Sequence, residues 1–390
     1  MVTQPNIALA LNEEVARLYA HILREKSMLD RALQLFLDSP VYTVTGNNGT
    51  IEEYQYFIYP FKGSTLADHS LYAKISSYLA KMIPKETEVI LTIEADGIGV
   101  ASFIGAELAL PIIICKSFHY NVPSIEFSQV AGYHKRTMYM PKIIQGKKVA
   151  IVDCMISTGG TIRAMLDAVR TLPGTQITGV YCINNKSNYG DQTETFDGFH
   201  YKYIFDTKIN SQNQVEAEFS KALKTTFWEQ MDKEFFELAK GYASLSNFSR
   251  NGYQVGAIIV ASDTFEIVAH GYRRGNIHAE HDAITMLKNN CPDWEHREFT
   301  LYVTLEPCIY RNGSGYTPCA ELINDIPQIR WVVIGSLDNM DEKIYRKGIE
   351  KLRQKKHIRL LETGEVLRSY HDVPHFLDHP HFSKKQVCEL

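Results

Sequence analysis

The chain has 390 residues, 45% hydrophobic and 22% charged, with a formal net charge of −4. That length supports two separate cores, and these shares are those of ordinary globular protein. The charge speaks against a broad basic surface of the kind that binds duplex nucleic acid, and no apolar run approaches the ~20 residues that span a bilayer. From the N-terminus, residues 11–38 place Leu11, Val15, Leu18, Ile22, Leu29, Leu33 and Phe36 near one helical stripe, the pattern of one or two packing helices. From about 40 to 210, strand and helix patterns alternate. Residues 89–95 (VILTIEA) form a short β-rich run, 99–110 a helix, 111–117 (PIIICKS) an apolar run and 147–155 (KKVAIVDCM) a buried strand. A small-residue turn at 157–161, a helix over 161–172 and a strand at 179–185 follow. This alternation predicts a mostly parallel sheet covered by helices. Residues 207–230 are polar, a connector with helical content. A second α/β pattern comes next: strands at 255–261, 299–306, 329–336 and 357–363, helices at 278–289, 317–325 and 345–356. The tail holds His371, His375, His379 and His381 without clear periodicity, and is expected to be an exposed polar end.

The seven cysteines stand at 115, 154, 182, 291, 308, 319 and 388. An odd number in so long a chain argues against a disulfide scaffold and for a reducing compartment. The first residues lack a basic stretch followed by an apolar core, so no signal peptide is expected. A cytoplasmic protein without a membrane partner is the expectation.

One motif in the first half carries chemistry. The apolar run ending in Asp153 and Cys154 is followed by Ser157-Thr158-Gly159-Gly160-Thr161 and then a helix. A glycine-rich turn that opens a helix offers backbone N–H groups and a favourable dipole to phosphate. The three hydroxyls add donors, and Asp153 is placed to accept from ribose hydroxyls. These residues resemble the phosphoribosyl-pyrophosphate motif of type I phosphoribosyltransferases. Upstream, Glu94-Ala95-Asp96-Gly97 and the helix after it resemble the pyrophosphate loop of the adenine phosphoribosyltransferase branch, and Lys116 matches the basic position after the next strand. Residues 118–139 lie where that family has its mobile flap. The resemblance implies His134, Lys135 and Arg136 as groups that screen pyrophosphate charge, and a magnesium ion with the phosphoribosyl ligand. It covers roughly residues 50–205. It departs at Cys154, where the family has a second acidic residue, which weakens ribose or magnesium contacts. A domain that binds a ribose 5-phosphate compound without transferring it is therefore a second reading.

The other motif is His278-Ala279-Glu280, followed by Pro307-Cys308 and Pro318-Cys319. One imidazole and two thiolates suit zinc, and three protein ligands leave a fourth position for water. Glu280, two residues after a ligand, is placed to shuttle protons. This H-x-E with P-C…C pattern is the zinc-deaminase signature, with the glutamate outside the ligand set. A purely structural site would supply a fourth ligand; none is nearby, and His281 is expected to point away from the metal. Val255-Gly256, His278-Ala279-Glu280, the string at 304–308 (TLEPC), Gly315, Thr317-Pro318-Cys319, Asp338-Asn339 and Lys347-Gly348-Ile349 together resemble the deaminase domain of riboflavin biosynthesis. That resemblance implies an aminopyrimidine carrying a ribityl or ribosyl 5′-phosphate. It spans about 120 residues, and it departs in a longer segment between Cys308 and Cys319 and in Thr317-Pro318 where the family has two prolines. No reductase domain is expected to follow. Tyr242 and Phe248 lie where an aromatic ring would stack on a base, whereas Trp294 and Trp331 are expected in the core or an interface.

The expected fold is α/β: a type I phosphoribosyltransferase-like parallel-sheet domain plus a three-layer α/β/α cytidine-deaminase-like domain. The expected organisation is a helical segment at 1–40, the first domain at 41–210, a connector at 211–240, the deaminase at 241–365 and a tail at 366–390. The implied enzyme is a zinc-dependent deaminase, coupled to a site that binds or transfers ribose 5-phosphate in nucleotide salvage or modified-nucleotide metabolism. Its implied partners are a nucleobase or nucleotide, phosphoribosyl pyrophosphate or a ribose 5-phosphate compound, and further copies of itself. Two alternatives stand beside this: a deaminase regulated by a catalytically inactive nucleotide-sensing domain, and a deaminase of single-stranded RNA or DNA. The net charge weighs against the second.

Overall fold

The computed structural model describes residues 4–46, 51–61, 68–132, 134–189, 195–246, 253–311, 315–338, 345–362 and 366–367. The chain divides into two units, Arg24–Thr226 and Met1–Leu23 with Phe227–Leu390. The stripe that begins at Leu11 belongs to one continuous helix, α1 (Gln4–Leu37), with Leu11, Leu18, Ile22, Leu29 and Phe36 buried.

In the unit Arg24–Thr226, β1 (Val41–Thr45) and β2 (Glu53–Phe57) form an antiparallel hairpin. Helix α2 (His69–Ala80) follows, its first turn closed by Asp68, whose carboxylate accepts from the amides of Ser70 and Leu71. Such a cap satisfies donors that a helix start leaves unpaired. Neither the hairpin nor α2 is among the predicted elements, because β1 and β2 lack strict alternation of buried and exposed positions. Next come β3 (Val89–Ile93), α3 (Gly97–Leu108), β4 (Ile112–Cys115), the hairpin β5 (Ser124–Val130) with β6 (Lys135–Pro141), β7 (Lys148–Ile156) and α4 (Gly160–Arg170). The unit's remaining strands are β8 (Gln176–Lys186), β9 (Thr195–Phe196), β10 (Phe199–Ile209) and β11 (Val215–Phe219). The main sheet runs β11-β10-β8-β7-β3-β4, with β9 beside β10. Every pair from β10 to β4 is parallel, and β11 adds an antiparallel edge. All five residues of β3 and all but two of β7 are buried, which is why these strands read as unbroken apolar runs: both faces of a parallel sheet are covered. The carboxyl ends of β3 and β7 lie side by side, and ligands of open α/β sheets bind outside such ends.

Helix α5 (Lys221–Ala243) follows β11, so the stretch 211–240 holds a sheet strand and most of a long helix. In the unit that contains Phe227–Leu390, the strands are β12 (Gly256–Ala261), β13 (Ile267–Tyr272), β14 (Phe299–Leu305), β15 (Ile329–Ser336), β16 (His357–Leu360) and β17 (Val366–Leu367). Their order is β13-β12-β14-β15-β16-β17. The pairs β14–β15 and β15–β16 are parallel and the others antiparallel. One face carries Ala257, Ile259, Leu301, Val303, Val332 and Ile334, packed with residues of α6 (Ala279–Asn290), α7 (Cys319–Asn324) and α8 (Lys347–Leu352). Burying each of the leucine, isoleucine and valine side chains among them contributes roughly 1.5–3 kcal/mol. The opposite face meets α5. There the hydroxyl of Tyr302 donates to Asp232 at 2.7 Å, and Arg359 donates to the other carboxylate oxygen at 2.6 Å. Pairing makes this buried charge tolerable. The result is a three-layer α/β/α arrangement. Helices α7 and α8 are shorter than the predicted 317–325 and 345–356. Pro318 and Pro327 bound the first, and the second ends in turns at 353–356.

Those turns place Lys356 in the interior, 2% exposed, with its ammonium donating to the Ile326 carbonyl at 2.6 Å. Burial, and then the nearby Lys355 and Arg330 charges, pull its pKa down to about 8. The unfolded chain holds the same proton to about 10.4. The cost of charging the buried amine is therefore full below pH 8 and fades as pH rises toward 10. Relative to Lys356→Met, the wild-type unit is expected to gain about 1–2 kcal/mol of stability across that window, a figure reduced for solvent screening. Denaturant unfolding at several pH values measures it, and a pH-independent gap between the two proteins would refute it.

Candidate active sites

In the unit Arg24–Thr226, β7 stops at Ile156 and α4 begins at Gly160. Gly159 turns the chain at φ 77°, a left-handed conformation that costs glycine nothing. A Cβ on Gly160 would stand 2.1 Å from the Val130 carbonyl oxygen at the end of β5, so only glycine permits that approach. The turn borders a cavity of about 250 Å³. All six residues predicted for the phosphoribosyl site line it: Asp153, Ser157, Thr158, Gly159, Gly160 and Thr161. Glu94, Ala95, Asp96 and Gly97 line it from the loop after β3, and His134 and Arg136 from the β5–β6 hairpin. Lys116 and Lys135 are not among the lining residues. Lys116 instead lies over the Tyr120 ring at 4.8 Å, and Lys135 is exposed at the start of β6.

The hairpin is tied to both loops. Arg136 donates to the Glu94 carbonyl at 2.7 Å, and Gln129 donates to the Thr161 hydroxyl at 3.0 Å. Partial burial works to raise the Glu94 pKa. Hydrogen bonds from the Ser117 hydroxyl and amide, with the Arg136 and Lys116 charges, outweigh it and hold the carboxyl below its ordinary value. Tyr54 of β2 donates to the Ser157 hydroxyl at 2.9 Å. Tyr54 and Gln129 both line the cavity, and the sequence reading missed them. Neither stands in a local motif, so no signal marked them. Cys154 is 2% exposed; its amide donates to Asp153 at 2.7 Å and its carbonyl accepts from the Tyr59 hydroxyl at 2.9 Å. The position of a second acid is thus a buried thiol.

In the second unit, His278 stands at the N-cap of α6 and Cys319 is the first residue of α7. Cys308 follows β14. The ligand atoms of His278, Cys308 and Cys319 all lie within 4.8 Å of one another. His278 Nδ1 is 3.5 Å from the Cys308 sulfur and 3.3 Å from that of Cys319. Tetrahedral zinc with ordinary Zn–S and Zn–N bonds sets such edges at about 3.5 Å, so the three groups fit the ion. The Cys319 amide points at the Cys308 sulfur from 3.5 Å. The hydrogen bond from Cys319, joined by His278 and that amide, outweighs burial and pulls the Cys308 thiol well below its ordinary value. Cys319 is pushed up by the same partner and by burial. Two touching sulfurs cannot both ionise without a cation between them, and a thiolate pair is what zinc requires.

Glu280 is 3% exposed in the first turn of α6. Burial, then the charge of Cys308, raises its carboxyl pKa, the direction that brings a carboxyl closer to the water and amine groups it would exchange protons with. Glu306 fixes the strand end that carries Cys308: its carboxylate accepts from the amides of Ile349 at 3.1 Å and Asp338 at 3.3 Å. His281 is not in that ligand group; its ring donates to the Thr317 carbonyl at 2.6 Å. Tyr242 is buried and stacked on His270, ring centres 4.2 Å apart, so it is closed to a bound base, contrary to the expectation. Phe248, Asn339 and the tail histidines lie outside the described residues. Trp331 is buried in the core.

Known proteins bear on both halves. Residues 64–210 match the phosphoribosyl transferase domain, and residues 229–336 match the cytidine and deoxycytidylate deaminase zinc-binding region. Hypoxanthine/guanine phosphoribosyltransferase of Methanosarcina acetivorans is 35% identical over 158 residues, 40% of this chain and 79% of that protein. The protein of the same description from Methanothrix soehngenii is 28% identical over 193 residues, 49% of this chain and 97% of that one. Among solved structures, adenine phosphoribosyltransferase from Thermoanaerobacter pseudethanolicus superposes with a TM-score of 0.36 at 17% identity, over 45% of this chain and 97% of that one. A diaminohydroxyphosphoribosylaminopyrimidine deaminase/5-amino-6-(5-phosphoribosylamino)uracil reductase from Thermotoga maritima gives 0.30 at 30% identity, over 34% and 37%. Both domain families are families of enzymes, and among the described residues no helix is long and apolar enough to cross a membrane. The chain belongs to the phosphoribosyltransferase family through residues 64–210, followed at 229–336 by the zinc-binding region of the cytidine and deoxycytidylate deaminases.

Proposed function

We propose that the C-terminal unit hydrolyses the exocyclic amine of a phosphoribosylated aminopyrimidine-like compound, and that the N-terminal unit binds or transfers the ribose 5-phosphate of a related nucleotide. The observation that carries the first part is the buried Glu280 carboxyl beside the triad of His278, Cys308 and Cys319. Zinc in this ligand set supplies the Lewis acidity that brings the pKa of water near neutrality. The water oxygen bonds to the amine-bearing ring carbon, the C–N bond breaks, and nitrogen leaves as ammonia. Glu280 takes one water proton and delivers it to the ring nitrogen, then takes the proton of the hydroxyl left on the carbon and delivers it to the leaving amine, so that carbonyl and ammonia are the products. The phosphoribosylated substrate rests on the riboflavin-type motifs around the zinc ligands and on the phosphate loop in the same chain.

Cys154 supports a second reading of the N-terminal unit. A buried thiol is a poor substitute for a carboxylate toward ribose hydroxyls or magnesium, which leaves Asp153 as the one carboxylate of the motif. In that reading the unit senses phosphoribosyl pyrophosphate or a nucleotide.

The zinc-loaded chain is expected to release ammonia from phosphorylated aminopyrimidines, with deoxycytidylate and a 5′-phosphoribosylated diaminopyrimidine as the first panel. No ammonia from any of them would sink the deaminase reading. In parallel, pyrophosphate release is measured with phosphoribosyl pyrophosphate and a base panel that includes hypoxanthine and guanine, after the names of the relatives. Turnover establishes transfer. Tight nucleotide binding without turnover establishes the sensor.

A further inference from the structure

The segment between the two cysteine ligands is where this chain departs most from the riboflavin-type pattern, and the structure gives that segment a charged residue with unfilled capacity. Arg311 is half-buried and three residues beyond Cys308. One of its terminal nitrogens donates to the Asn276 carbonyl, and its guanidinium lies over the Tyr316 ring at 4.8 Å from the centroid. Tyr316 in turn meets the edge of His281, whose ring holds the Thr317 carbonyl. The side chain is thus pinned at two points, Asn276 just before His278 and Tyr316 on the segment that leads into Cys319. Among the described residues, its other terminal nitrogen is buried with no hydrogen-bond partner and Arg311 makes no ion pair. A guanidinium nitrogen withdrawn from water without an acceptor is costly. Its planar fork is suited to two oxygens of one anion.

We propose that Arg311 is the specificity-determining residue of the deaminase site and selects substrates that carry a phosphate. This rests on the deaminase reading above and narrows it: the free nitrogen takes a phosphate oxygen, while the bond to Asn276 and the stack on Tyr316 keep the fork from turning away. Lysine at this position would keep the charge and lose both the stack and the fork.

The test uses the full chain loaded with cobalt(II), whose visible absorption reports on the thiolate-ligated metal alone and so ignores ligand bound in the N-terminal unit. Deoxycytidylate and deoxycytidine are titrated against wild type, Arg311→Met and Arg311→Lys, and the phosphoribosylated diaminopyrimidine is compared with its dephosphorylated form in the same way. Arg311→Met is expected to weaken binding of the phosphorylated member of each pair by about 10–100-fold more than that of its partner, the scale of a lost charge-assisted hydrogen bond. Arg311→Lys falls between. Equal losses on both members, loss of metal from the variant, or no spectral response to any phosphorylated ligand would overturn the proposal. A phosphate-dependent response without ammonia release would sink the deaminase reading and leave the assignment of Arg311 standing.

Discussion

Glu280→Gln is expected to lower ammonia release by about 10²–10⁴-fold while the protein keeps its zinc, the range for loss of a positioned acid–base group. Glutamine has nearly the same shape, so the packing around this 3%-exposed residue at the start of α6 is preserved. It cannot carry a proton between water, ring nitrogen and amine. The three ligand side chains are untouched, so zinc content measured by metal analysis should stay at about one per chain. Wild-type turnover by this variant would remove Glu280 from the mechanism. Loss of zinc together with activity would show that the residue serves the metal site instead.

The second large effect is on the metal itself. Cys319→Ala deletes a fully buried ligand at the first position of α7. His278 and Cys308 remain, and two ligands do not hold zinc against dialysis, so the content is expected to fall from about one per chain to near zero. Binding to the folded state alone stabilises it, by about 4 kcal/mol when free metal stands 1,000-fold above its dissociation constant. The C-terminal unit should therefore melt several degrees lower than zinc-loaded wild type. Chelator-treated wild type provides the control: it should melt close to the variant. A variant that keeps zinc would refute the ligand set. One far less stable than chelated wild type would assign Cys319 mainly a packing role.

The local motifs and the long apolar strands were legible without coordinates because their physics is local. His278, Glu280, Cys308 and Cys319 stand within short strings whose spacing already sets them at helix starts and a strand end. The turn from Asp153 to Thr161 needs glycine at 159 and 160, and β3 and β7 show their burial as continuous hydrophobicity. Both domain types followed from those signals. Tertiary structure decided what depends on partners far along the chain. Tyr54 reaches Ser157 across 103 positions because a hairpin of unremarkable sequence folds there. Whether Lys116 faced the cavity or Tyr120, and whether Tyr242 was open to a base or closed by His270, depended on which elements packed beside them. Arg311 stood in the sequence only as one residue of a long insertion. Its buried, unpartnered nitrogen exists because Asn276 and Tyr316 hold the rest of the side chain in place. Residue type and spacing determine which chemistry a chain can perform, whereas the direction of each side chain is set by packing against neighbours that the linear order does not reveal.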